Sequence, residues 1–260
     1  MMSSILQWKA SILIGFAMAM LALEFFFPAV RPLVAAKLAT ASEKLLRAGK
    51  NVALLLINAG LSPLLVIPLS AFAQTWAPHW RPEWAAGLVI DLLLLDFWIY
   101  WWHRSNHALP FLWRFHEVHH LDEFLDVTSA VRFHFGEVIL SALVRAAVIF
   151  ALGIPLTSVV VFETLVLMAA MFHHSNVKLP PVLERALSFV IVTPSLHWVH
   201  HHAIRRDTDS NYSSILSVWD RLFKSRSATI RSPEMTIGVE SQSDEGLLGL
   251  IIRPFRRITF

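Results

Sequence analysis

Twelve of the thirteen histidines in this 260-residue chain lie between His103 and His202, and ten of them fall into four tight groups. These groups are His103/His107, His116/His119/His120, His173/His174 and His197/His200/His201. A His-x-x-His-His pattern is expected about 0.03 times in a chain of this composition when matches are counted against a template. It occurs twice. On an α-helix, residues i, i+3 and i+4 share one face, so each triplet turns three imidazoles to one side and His103/His107 turn two. Imidazole is the commonest protein metal ligand and suits Fe, Zn, Cu or Ni. Eight histidines in three one-sided clusters exceed the needs of one ion, and the pattern therefore predicts a two-metal centre.

The rest of the composition limits what can hold that metal and where. The chain has no cysteine, which excludes disulfides and thiolate ligation and leaves only N and O donors. It is 55% hydrophobic and 16% charged, with a mean hydropathy of +0.55, values that fit a protein with several membrane spans. The basic residues are scattered between apolar segments, where they act as topology determinants, so the high pI does not point to nucleic acid.

The elements that must position the histidines follow from the apolar runs. Ile12 to Phe27 ends without a small-residue cleavage site and is expected to be a retained span. Arg31 to Lys50 is amphipathic and basic, which places it in the cytoplasm. Val52 to Phe72 contains Pro63 and Pro68 and is expected to be a kinked span or two shorter pieces. After a loop on the far side, Gln74 to Glu83, a third span from Ala85 to Trp102 delivers its end into His103. Its Asp91 and Asp96 should face the protein interior, because carboxylates are costly in lipid. Val138 to Phe172, broken at Gly153-Ile154-Pro155, is expected to be a helical hairpin that returns His173/His174 to the face where His103 emerged. Pro180 to Pro194 is expected to lie at the interface, and Ser195 to Phe260 to form a polar cytoplasmic tail. The expected fold is thus all-α and integral to the membrane, with about four transmembrane helices and a cytoplasmic histidine-rich cap. The expected organisation is a membrane region 1–84, a catalytic domain 85–225 and a tail 226–260. Only His79 falls on the opposite side.

The order of the motifs carries a resemblance. His-Arg-Ser-Asn-His at 103–107, His-Glu-Val-His-His at 116–120, Arg132-Phe133-His134, His174-Ser175-Asn176, Thr193-Pro194-Ser195-Leu196-His197-Trp198-Val199-His200-His201, Asn211-Tyr212 and Trp219-Asp220-Arg221-Leu222-Phe223 follow one another. Over about residues 85 to 225 the chain resembles the sterol desaturase and fatty acid hydroxylase superfamily. The resemblance implies a non-haem di-iron centre that uses O2 and two electrons to oxidise a lipid C–H bond. It also implies, by motif position, iron ligation by His103, His107, His116, His119, His120, His174, His197, His200 and His201. His134, the single histidine of the third motif, is a tenth candidate, although it is followed by Phe135-Gly136-Glu137 where the family usually has a pattern like His-Pro-x-Glu. The motifs leave the part played by His173 open. Ser213 stands where a glycine is usual, and Lys224-Ser225 where Gly-Thr is usual. His202 points off the ligand face of the last triplet.

Donor chemistry favours iron independently. Zinc has no redox activity and a structural zinc needs four ligands, whereas two Fe(II) ions with four or five ligands each would use nine or ten imidazoles and keep positions open. Glu117, Asp122, Glu123, Asp126, Glu137 and Asp220 are candidates to orient the imidazole N–H groups. No electron-transfer domain is evident, so a separate reductase, ferredoxin or haem carrier is expected to supply electrons. The lipid could be a sterol, fatty acyl chain, carotenoid or alkyl lipid. A competing reading takes His116-Glu117-Val118-His119-His120 as a zinc-metalloprotease motif with Glu117 as general base. It leaves the other histidine groups unexplained.

Overall fold

The computed structural model describes residues 2–30, 40–78 and 85–256. His79 lies outside these residues, as do 31–39 of the basic stretch. The described residues form twelve α-helices joined by short turns, with isolated bridges and no β-strand. Four helical stretches are long and apolar enough to cross a membrane: Gln7–Phe26, Ala41–Thr75, Phe135–Leu152 and Leu156–His174. Their large apolar side chains point outward, Phe25 being 79% and Leu56 65% exposed. Such surface is costly in water and favourable against lipid.

Helix α1 (Met2–Phe26) packs along α7 (Leu156–His174). Helix α2 (Ala41–Leu61) opens with a capping box in which Thr40 and Glu43 satisfy each other's backbone N–H. It then runs through a π-helical turn, Ser62–Val66, into α3 (Ile67–Thr75). Pro63, which lacks an N–H, falls in that turn, so the kink expected of the second apolar stretch is a π segment within a near-continuous helix. Residues 41–50 of the basic stretch form the first part of this helix.

Helix α4 (Ala85–Ala108) holds the expected third span but is not among the four apolar stretches. Its two aspartates do turn inward. Asp91 accepts from Ser158 Oγ at 2.7 Å, and Asp96 accepts from the backbone N–H groups of Ile215 and Leu216 and from Trp219 Nε1. Pro110 then starts α5 (Pro110–His120), its ring suiting the first helical turn. The hairpin forms as expected: α6 (Phe135–Leu152) ends at Gly153 with φ 63°, the left-handed conformation that suits glycine, and α7 begins after Pro155. Ala73, Leu95, Ala146, Ile149 and Phe162 lock α3, α4, α6 and α7 into one core.

Short helices complete the cap. These are α8 (Pro181–Leu187), α9 (Pro194–His200), α10 (Arg205–Thr208), α11 (Val218–Leu222) and α12 (Leu247–Ile252). Helix α8 buries no side chain, in keeping with an interfacial position. The residues expected to form a tail pack closely instead. Leu250 is fully buried against Leu54, Val118 and Leu121, and Arg253 pairs with Glu117 at 2.8 Å. Apolar side chains spaced along 237–250 gain burial only on a surface assembled from α2 and α5, which local polarity does not disclose.

Candidate metal centre

The nine motif histidines converge at four helix C-termini. His103 and His107 occupy the last turns of α4, His116, His119 and His120 the end of α5, His174 the last residue of α7, and His197, His200 and His201 the end of α9. A helix C-terminus carries partial negative charge, so four of them meeting at one place favour a cation there. The hairpin turn returns α7 to the level where α4 ends, and Pro194 starts α9 so that its short run closes the opposite side.

Two groups result. His103, His107, His116, His120 and His200 bring one nitrogen each within 4.8 Å of one another, and His119, His174, His197 and His201 do the same. All nine are buried. Six of them have Nδ1 fixed by an oxygen. His103 donates to Tyr212 O at 2.8 Å, His107 to Asp209 Oδ1 at 3.3 Å, His116 to Glu137 Oε1 at 2.9 Å, His119 to Arg132 O at 3.1 Å, His174 to Ala170 O at 2.8 Å and His200 to Ser210 O at 2.6 Å. Each bond sets the tautomer and leaves an Nε2 lone pair facing inward.

Those lone pairs test whether the site suits a metal. The Nε2 atoms of His119 and His174 lie 3.1 Å apart although both Nδ1 atoms are committed to carbonyls, so two acceptors face each other. The Nε2 atoms of His103, His107 and His200 are buried with no hydrogen-bond partner at all. A cation in each group would satisfy these nitrogens, and an all-imidazole donor set suits Fe, Zn, Cu or Ni. Burial, reinforced by repulsion among neighbouring imidazoles, holds His119, His120, His200 and His201 far below the usual histidine pKa of 6.5. They are therefore neutral and able to coordinate.

The expected residues do not all join. His134 stands outside both groups: its Nδ1 accepts from Gly136 N–H, capping α6, and its Nε2 bonds Ile251 O at 3.0 Å. With both nitrogens used, this geometry gives it no free donor for a metal. His173 also lies outside the groups, its ring tilted 37° to that of His197 with the centroids 4.0 Å apart. His202 turns to Asp207, as its offset in the triplet predicts. Among the carboxylates, Glu137 orients an imidazole directly. Asp122 and Asp126 pair with Arg47, and Glu117 pairs with Arg253. Asp220 acts at one remove, accepting from the N–H groups of Tyr212 and Ser213 and so holding the loop whose carbonyls fix His103 and His200. Asn211, with φ 51°, makes the left-handed turn in that loop. Asp209 and the four orienting carbonyls were missed, because a backbone oxygen or a lone Asp on a loop leaves no mark in sequence.

Beside the histidines a cavity of about 240 Å³ opens between α4, α6 and α7, with Ile99, Val166 and Leu167 on its apolar wall. The sequence profile described as fatty acid hydroxylase matches residues 88–225, more than half of the chain. The chain belongs to that family. It is 28% identical over 198 residues to the ornithine lipid hydroxylase OlsE of Rhizobium tropici, covering 75% of this chain and 59% of that protein. It is 31% identical to the alkylglycerol monooxygenase of Danio rerio over 60% of this chain and 35% of that protein. It is 27% identical to the very-long-chain aldehyde decarbonylase GL1-5 of Oryza sativa subsp. indica over 56% and 24%. The chain thus spans less than two thirds of the length of these relatives. No solved structure matches it. As a family member it carries every motif histidine within the matched region, and the metalloprotease reading finds no support there, since Glu117 is turned to Arg253 while His116 and His120 share their group with three further histidines.

Proposed function

We propose that this protein is a membrane-bound lipid hydroxylase, or by the same first hydrogen abstraction a desaturase, that holds two iron ions in its two histidine groups. The observation that carries the proposal is the pair of buried imidazole groups, five and four strong, opening on a largely apolar cavity. Two bound iron ions would supply reductive activation of O2, with the balance R–H + O2 + 2 e⁻ + 2 H⁺ → R–OH + H2O. The chain's own residues perform the rest. Glu137, Asp209 and the carbonyls of Arg132, Ala170, Ser210 and Tyr212 orient the imidazoles; Ile99, Val166 and Leu167 exclude water from the reacting carbon. Electrons come from a separate reductase, ferredoxin or haem carrier. The protein crosses the membrane several times with the histidine centre on the cytoplasmic face, a placement supported by the lysines and arginines flanking the spans.

The test is metal analysis of purified protein together with lipid profiling of cells with and without it. About two Fe per chain and an oxygenated lipid that disappears with the gene are expected. One tightly held Zn with unchanged lipids would overturn the proposal.

A further inference from the structure

One face of the cavity is polar. Glu137, Ser141 and Arg145 are spaced i, i+4, i+8 on α6, so they form a single stripe about 12 Å long beside the histidines. All three line the cavity, opposite Val166, Leu167 and Ala170 of α7. Asn106 of α4 adds a fourth polar group at the histidine end, donating from Nδ2 to Glu137 Oε1 at 3.2 Å.

These groups hold unspent hydrogen-bonding capacity. Asn106 Oδ1 and Glu137 Oε2 are buried acceptors without a partner, and Arg145 Nε is a buried donor without one. Arg145 is held from its other end, its Nη2 lying 3.1 Å from Glu163, which also pairs with Lys9 at 3.1 Å. Two cations against one carboxylate leave net positive charge at the far end of the stripe. A buried polar group left unmatched is destabilising, so a cavity built only for hydrocarbon would not carry three on its wall.

We propose that the lipid is polar along the length it lays in this cavity. A hydroxyl or amide N–H of the substrate donates to Asn106 Oδ1 and Glu137 Oε2 beside the histidines, and a carbonyl or ether oxygen accepts from Arg145. This rests on the lipid-oxidising role given above and narrows it to hydroxyl-, amide- or ester-bearing lipids, setting aside plain alkanes and hydrocarbon carotenoids. It also places the oxidised carbon within a few bonds of the polar section, because Glu137 touches both the stripe and His116.

Binding of two probes to the iron-loaded full-length protein in detergent tests this. The probes are a long-chain monoacylglycerol and the alkane of matched carbon number. The wild type should bind the monoacylglycerol about tenfold or more tightly, and Arg145→Met should erase most of that ratio while leaving alkane affinity unchanged. Arg145→Lys, which keeps a donor, should restore part of it. If Arg145→Met does not fold, Ser141→Leu interrupts the stripe with an apolar side chain without breaking the ion pair and should shift the ratio in the same direction. Equal binding of both probes by the wild type, or equal weakening of both by the variants, overturns the inference. A protein that carries two Fe and oxidises a lipid yet shows equal binding loses this inference alone, whereas one without iron loses the underlying function.

Discussion

Glu137 Oε1 accepts from His116 Nδ1 at 2.9 Å, joining the start of α6 to the end of α5 through a carboxylate that is 7% exposed. Asp209 makes the equivalent contact to His107 at 3.3 Å but is 37% exposed. The buried carboxylate is screened less and should make its imidazole the more basic ligand. Glu137→Gln should therefore lower iron affinity about 10 to 100-fold, and Asp209→Asn should lower it less. Competitive chelator titration measures both, and a larger loss from Asp209→Asn would contradict the ranking.

The division into two groups predicts how metal is lost. His119→Ala removes one of four ligands from the smaller group and His107→Ala one of five from the larger. Each should leave about one Fe per chain, with the remaining iron bound normally, and abolish lipid oxidation, since a two-metal reaction needs both sites. His202→Ala, whose ring bonds Asp207, should keep both ions. Glu117→Gln breaks only the contact to Arg253 and should cost activity less than about tenfold, where a metalloprotease would lose nearly everything. Iron content by plasma emission spectrometry and product assays separate these outcomes.

Arg47 is a structural counterpart to the metal ligands. Its guanidinium, on α2, bonds Asp122 at 2.7 Å and the carbonyl of Phe124 at 2.8 Å, and also reaches Asp126. Asp122 is fully buried, and its carboxyl is held below its ordinary pKa because the cations Arg47 and Arg132 outweigh the effect of burial. Removing one partner strands the other charge. Arg47→Met should destabilise the protein by about 3 to 5 kcal/mol, seen as a lowered melting temperature with two Fe still bound in the surviving folded fraction. An unchanged melting temperature would show that Asn51 and Ser129, which also bond Asp122, suffice alone.

Orientation in the membrane is open to direct measurement. A reporter fused after Phe260 should be cytoplasmic and one inserted beside His79 should lie outside. Both on one side would contradict the arrangement of spans and the cytoplasmic position of the histidines.

The spacing of the histidines, by itself, determined that imidazoles would stand in one-sided sets, because helical periodicity is local and needs no partner. The apolar runs likewise determined the α6–α7 hairpin, since Gly153 and Pro155 stop helices by backbone geometry alone. Inward placement of Asp91 and Asp96 followed from the cost of charge in lipid. Only the tertiary structure decided how the imidazoles divide between two groups, because His116 and His119 sit on the same turn of α5 yet join different sets, according to which of α4, α7 and α9 lies closer. It alone set His134 apart from both groups, with its two nitrogens bonded to Gly136 and Ile251. It also turned residues 226–256 from an expected tail into packed structure around Leu250, and set Glu137, Ser141 and Arg145 on a cavity wall. Each of these depends on contacts between residues far apart in the chain, which become neighbours only when burial and hydrogen bonding are satisfied together.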